Sequence, residues 1–198
     1  MRTLVIGCGA WGTTLAHLMG EKGDPVTLLC HDSHIIDEIL TERTHRRVLP
    51  HKPLINTSVI PAPMSDLADV VSRADIVFIA VASTFYRSVL RDVASVLPLD
   101  TILVSATKGM ETKTNCSVLD IAMEELPTAV LKERFVVLSG PNLANEIFIG
   151  LPAATVLACQ NVDTAKKVQS AISSSTFRAY VSDDIIGVEY GGILKNII

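Results

Sequence analysis

The sequence has no apolar run of the ~18 residues that a membrane-crossing helix requires, so no membrane span is expected. It also lacks an excess of positive charge. Lys and Arg total 17 against 21 Asp and Glu, a net charge of −4. Nothing in that balance asks for nucleic acid or an anionic surface. Cysteine is scarce and scattered: Cys8, Cys30, Cys116 and Cys159 contain no C-x-x-C pair. A disulfide framework or zinc site is therefore not expected, and a reducing cytoplasm is the default location. His34, His45 and His51 show no metal-ligand spacing. The hydroxyl residues offer no G-x-S-x-G pattern with a paired base. The first apolar stretch meets Gly7 too early for a secretory leader.

What remains is rich in core-forming residues. Of 198 residues, 48% are hydrophobic and only 19% charged, enough for one domain, or one domain and part of another. Short runs rich in Val and Ile predict strands at Thr3–Ile6, Val26–Cys30, Ile76–Val81, Ile102–Ser105, Phe135–Leu138, Ala153–Ala158 and Phe177–Val181. Most lack polar alternation, as strands buried on both faces do. Helical patterns fall between them, at Trp11–Lys22, Ser33–Thr41, Phe85–Val96, Asn115–Glu125, Asn142–Phe148 and Asp163–Ser173. This alternation predicts an α/β fold with a doubly wound, mostly parallel sheet of the Rossmann type. The direction of the strands after Pro141 is left open. Thr41–Pro63, with four prolines, reads as an irregular excursion. A last helix is expected from Asp183–Asp184 onward, running to an uncapped, apolar Ile198. The expected division is a dinucleotide-binding domain over 1–182, with 183–198 opening a truncated all-helical domain. The chain thus reads as a fragment of something longer.

Four clusters carry the chemistry. Gly7-Cys8-Gly9-Ala10-Trp11-Gly12 follows the first strand and fits G-x-G-x-x-G. Gly7 permits the turn, Gly9 lets backbone approach a pyrophosphate, and Gly12 lets helix and strand pack closely. Free N–H groups at the helix start then face phosphate charge. Asp32 lies ~20 residues beyond Gly12, where a ribose-binding acid belongs, although Asp32-Ser33 could equally start a helix. His31 could stack on adenine or touch a 2′-phosphate. The lack of arginine in Cys30–Ser33 leans toward NAD over NADP.

The second cluster, Thr107-Lys108-Gly109-Met110-Glu111, follows the strand Ile102–Ser105, where ligand crevices form in such sheets. There Lys108 would meet an anion. The third is the turn Ser139-Gly140-Pro141-Asn142-Leu143-Ala144. The fourth is the terminal helix, with Gly187, Gly191 and Lys195 on one face at i, i+4 and i+8 and Gly192 and Asn196 beside them. Each interior glycine costs ~1 kcal/mol relative to alanine, so something should need the space: a flat ligand, or another backbone. Lys195 and Asn196 would then project from a pocket floor, or Lys195 would simply be a surface residue.

Together these clusters resemble the bacterial NAD(P)-dependent glycerol-3-phosphate dehydrogenases. The resemblance runs from the glycine turn through Leu49-Pro50, Lys108-Gly109-Met110-Glu111 and Ser139-Gly140-Pro141. It ends in Gly187-Val188-Glu189-Tyr190-Gly191-Gly192-Ile193-Leu194-Lys195-Asn196. It implies reduction of dihydroxyacetone phosphate to sn-glycerol 3-phosphate with NAD or NADP, for glycerophospholipid synthesis. By the resemblance Lys195 is the proton donor or acceptor and Lys108 touches both substrate and cofactor. Gly140, Asn142 and Asn196 stand near the substrate, Ala144 beside the cofactor, and Ala10, Trp11 and His31 match cofactor contacts. The implied partner is a small phosphate ester, and a homodimer is among the expected assemblies. Lys108 is expected to lower the pKa of Lys195 by like-charge repulsion. The chain departs from the family pattern at Ala82 (usually Pro), Asn142 (Ser or Thr), Val48 (Tyr) and His31 (often Arg). The competing reading is a stand-alone dinucleotide-binding or sensing module without turnover. A third is a related dehydrogenase acting on another hydroxy acid or an acyl thioester.

Overall fold

The computed structural model describes residues 1–50 and 53–195. Its elements run in strict alternation for the first half. β1 (Thr3–Ile6), α1 (Ala10–Gly20), β2 (Val26–Cys30) and α2 (Ser33–Glu42) precede β3 (Val59–Pro63). A short 3-10 turn leads into α3 (Leu67–Arg73), β4 (Ile76–Ile79), α4 (Ser83–Ala94) and β5 (Ile102–Ser105). Next come α5 (Val118–Glu125), α6 (Thr128–Arg134), β6 (Phe135–Ser139) and α7 (Ala144–Phe148). The chain closes with β7 (Ala153–Ala158), α8 (Val162–Ile172), β8 (Phe177–Ser182) and α9 (Ile185–Leu194).

The strands form one sheet in the order β3-β2-β1-β4-β5-β6-β7-β8. All neighbours are parallel except β6 and β7, which resolves the direction left open after Pro141. The sheet is doubly wound: the chain builds outward from β1 to β3, then returns to place β4 on β1's other side. That reversal opens a crevice at the carboxyl ends of β1 and β4.

Successive strand residues point to opposite faces, so both faces need cover. Val5, Leu28, Phe78 and Val104 pack with Leu15, Leu18 and Ile39 of α1 and α2. Leu4, Ile6, Val77, Ile79 and Leu103 pack with Leu67, Tyr86, Leu90 and Ile121 of α3, α4 and α5. The unbroken apolar strands of the sequence are the middle layer of this sandwich.

Several elements depart from expectation. β3 lies inside the stretch read as irregular. It is Val-Ile-Pro-Ala-Pro, and its only strand neighbour among the described residues is β2. An edge strand tolerates prolines that a central one would not. α3 and α6 are seven-residue helices, too short to show a period. The helix expected from Asn115 starts at Val118, because Ser117 and Asp120 form a capping box and Asn115 sits at φ +56°. The helix expected from Asn142 starts at Ala144. The terminal helix is described over Ile185–Leu194, with the Lys195 N–H bonding back to the Gly191 carbonyl at 3.3 Å, and the expected run on to Ile198 lies outside the described residues. Ile193 is buried rather than exposed. No described helix is long and apolar enough to cross a membrane.

Candidate functional site

The glycine turn is built as its spacing requires. Gly7 has φ +107°, and a Cβ there would lie 2.6 Å from the Ala80 carbonyl oxygen at the end of β4. At Gly12 a Cβ would fall 1.9 Å from the Gly7 carbonyl oxygen. At Gly9 it would meet nothing within 4 Å. The first and third glycines are thus needed by the fold, whereas the second borders open space. Gly9 is also the N-cap of α1 and supplies no capping side chain. The first intrahelical donor is Thr13 N–H to the Gly9 carbonyl, at 3.0 Å, so the amides before it are the helix's orphans. Amides, glycine and open space together fit a diphosphate.

Ala10 begins α1 at the edge of the core. Trp11 packs beside Phe177 with ring centroids 6.3 Å apart, and its indole N–H is buried without a partner. His31 is exposed just past β2. Asp32 caps α2, accepting from His34 N–H at 3.0 Å, so the helix-start reading holds. Its other oxygen faces Arg47, 3.6 Å away. Sequence reading missed that arginine, because it comes from the loop after α2 rather than from the strand end. Ala144 is tied to α1 through its carbonyl, which accepts from Thr14 at 3.3 Å.

Lys108 leaves the end of β5 half-buried and donates to the Gly140 carbonyl at 2.8 Å. Its pKa is lowered, first by burial and then by the charge of Lys195. Lys195 lines the same cavity as Gly140, whose carbonyl Lys108 bonds, so the two lysines approach one rim. Among the described residues no carboxylate pairs with Lys108. A bidentate ion pair holds its loop: Arg87 of α4 donates to both oxygens of Glu111, at 2.9 Å each. The carboxyl of Glu111 is held down to about 2 by Arg87, with help from Thr114. Thr107 ties the loop's start to the Val81 carbonyl at 3.0 Å.

Gly140 sits so close to β7 that a Cβ would lie 2.9 Å from the Thr155 Cα. Asn142 turns back to that strand. Its amide nitrogen donates to the Ala154 carbonyl at 2.9 Å, and its oxygen accepts from Thr155 at 3.1 Å. Both of its polar ends are thereby engaged within the turn.

The three glycines of α9 have three separate reasons. A Cβ at Gly187 would strike Asp184, which caps the helix by accepting from Gly187 N–H at 2.8 Å. A Cβ at Gly192 would strike the Ser139 hydroxyl, 2.2 Å away. Gly191 meets nothing, and with Lys195, Gly140 and Pro141 it lines a cavity of about 320 Å³. Glu189, also missed from sequence, is buried on the same helix. It accepts from Leu119 N–H at 2.7 Å and so fastens α9 to the start of α5. Burial, then the nearby Asp120 charge, raises its pKa against the effect of those bonds. Asn196 lies outside the described residues.

With this geometry in view, the relatives are informative. Residues 3–165 match the family model described as NAD-dependent glycerol-3-phosphate dehydrogenase N-terminus. The chain belongs to that family. It is 38% identical over 196 residues to the glycerol-3-phosphate dehydrogenase [NAD(P)+] of Bifidobacterium longum subsp. infantis, covering 98% of this chain and 57% of that protein. The protein of the same name from Trichlorobacter lovleyi is 39% identical, with 100% and 58% covered. Among solved structures, glycerol-3-phosphate dehydrogenase from Coxiella burnetii superposes with a TM-score of 0.86 at 29% identity, covering 99% of this chain and 58% of that one. A UDP-D-ManNAc dehydrogenase from Pyrococcus horikoshii, at 15% identity and TM-score 0.75, shares the fold. The chain spans a little over half the length of these curated relatives.

Proposed function

We propose that this chain is the dinucleotide-binding part of an oxidoreductase that interconverts dihydroxyacetone phosphate and sn-glycerol 3-phosphate. The observation that carries the reading is the crevice beyond the strand ends. Gly9 leaves room for a phosphate at the end of β1, and Lys108 and Lys195 lie either side of Gly140 beyond β6. Lys108 is half-buried beside a like charge, and an arriving phosphate dianion would supply the missing counter-charge.

NAD or NADP, held by Gly7, Gly9, Ala10, Trp11 and Gly12 with His31 and Ala144 at the margins, would supply hydride exchange at carbon. The chain's own residues do the rest. Reduction of a carbonyl leaves negative charge on oxygen, and a positioned cation stabilises it. Lys195, at the last turn of α9, is our choice for that cation and for the proton it gives up. Lys108, steadied by the Gly140 carbonyl, orients the substrate and helps hold the cofactor. Gly140 and Asn142 shape the turn beside them, and Asn196 follows Lys195. α9 also exposes Ile186, Tyr190 and Leu194 at i, i+4 and i+8. That apolar stripe supports a second, helical domain opening at residue 183, packed on it in the whole protein. The physiological direction we favour is reduction, feeding glycerophospholipid synthesis in the cytoplasm.

The test is titration of this chain with NADH and NADPH by fluorescence, followed by glycerol 3-phosphate. Saturable dinucleotide binding, with weak ester binding by this chain alone, is the expected result. Failure of both dinucleotides to bind would contradict the reading.

A further inference from the structure

The glycine turn holds a thiol pair that hydride transfer does not use. β1 and β2 run parallel with Ile6 opposite Leu29, and Gly7 N–H bonds to the Leu29 carbonyl at 3.1 Å. One residue further, β2 ends at Cys30, while the turn leaving β1 brings in Cys8. Both side chains are buried in the same core cluster, and the Cys30 thiol donates to the Leu28 carbonyl at 3.7 Å. His45 completes the group. Its Nε2 lies 2.8 Å from the Cys8 carbonyl oxygen, and its Nδ1 is buried without a partner. The Cys30 thiol and His45 both favour the thiolate of Cys8, whose pKa is lowered, whereas that of Cys30 is raised. Among the described residues no three ligands gather in a way that could hold a metal. Cys116 and Cys159 lie far along the chain, in the loop before α5 and just after β7.

We infer that Cys8 and Cys30 are a redox-closable pair: a peroxide joins them as a disulfide, and the closed form binds dinucleotide more weakly. The second half rests on the dinucleotide-binding reading above. The chemistry balances as follows. The Cys8 thiolate attacks one peroxide oxygen, the O–O bond breaks, and a sulfenic acid forms as the other oxygen leaves as water after protonation. The Cys30 sulfur then attacks the Cys8 sulfur, and the hydroxyl departs with the Cys30 proton as a second water. Two thiols lose two electrons and one peroxide gains them. His45 touches Cys8 and also lines a cleft of about 420 Å³ with Leu49 and Phe148, which gives a small oxidant an approach.

Closure would disturb binding because Cys8 lies between Gly7 and Gly9. An S–S bond of about 2.05 Å is much shorter than any thiol–thiol contact. Gly7 is wedged on Ala80 and cannot follow, so the displacement passes to the turn's amides. By linkage, bound dinucleotide should in turn slow closure.

The experiment oxidises this chain with hydrogen peroxide, blocks residual thiols, and maps linkages by mass spectrometry. NADH affinity is measured before oxidation, after it, and after dithiothreitol. We expect a Cys8–Cys30 linkage, NADH binding weakened by at least about tenfold, full recovery on reduction, and slower linkage when NADH is present. Cys30→Ser and, separately, Cys30→Ala should bind NADH normally when reduced and form no linkage at Cys8. Absence of the Cys8–Cys30 peptide in oxidised wild type overturns the pair. Its presence with unchanged affinity overturns the regulatory half. Reduced protein that binds no dinucleotide overturns the proposed function and that half together, while the linkage map still decides the pair.

Discussion

In the function proposed above, the two halves of the crevice would recognise their ligands by opposite means. At the end of β1 the work falls to main chain: Gly9 leaves room, and the first amides of α1 carry partial positive charge. Beyond the end of β5 it would fall to side chains: Lys108, bonded to the Gly140 carbonyl, and Lys195 of α9, which lines a cavity with Gly140. Backbone recognition needs a few glycines in a fixed local spacing. Side-chain recognition needs three separate elements to converge, and an ion pair between Arg87 and Glu111 to brace one of them.

The difference predicts how each half fails. The largest effect belongs to Gly12→Ala, whose Cβ would overlap the Gly7 carbonyl. It should cost about 3 kcal/mol or more, read as a lowered denaturation midpoint, with loss of NADH binding. Next, Lys195→Ala in the whole protein should abolish turnover while NADH affinity stays within about threefold. Lys108→Met should leave a folded chain, within about 1 kcal/mol of wild type, that no longer responds to glycerol 3-phosphate. Turnover near normal in the Lys195 variant would break the division between the halves.

Acid should act on the lysine half first. The Glu111 carboxyl is held at about 2, below its unfolded value, so the Arg87–Glu111 brace contributes fully above the ordinary carboxylate range. That contribution is lost as pH falls from about 4.5 toward 2. Amide exchange in residues 108–116 should rise over that window, and Glu111→Gln should remove the pH dependence. The smallest effect is Thr14→Val, which removes a long 3.3 Å bond to Ala144 and should cost only ~0.5–1 kcal/mol by thermal melting.

The same division governs what could be read without coordinates. The glycine turn and the central strands were legible because their signals are local, spacing or an apolar run capped by a glycine, whereas the two lysines were joined only by the family resemblance. β3 was not, since its prolines are tolerable only at an edge, and edge position is a property of the finished sheet. Arg47 beside Asp32, Glu189 beneath the start of α5 and the Arg87 brace join residues far apart in sequence, so no window contains them. Asn142 belongs with them. The resemblance alone put it near the substrate, and the bonds that join both of its polar ends to β7 could not be read from the turn itself.

Gly9→Ala tests the central claim most directly, because its Cβ touches nothing in the protein and intrudes only where a diphosphate would lie. Calorimetric titration of wild type and variant with NADH, alongside their melting curves, should show equal thermal stability and binding weakened by tenfold or more in the variant. Equal NADH affinity in the two proteins would contradict the account.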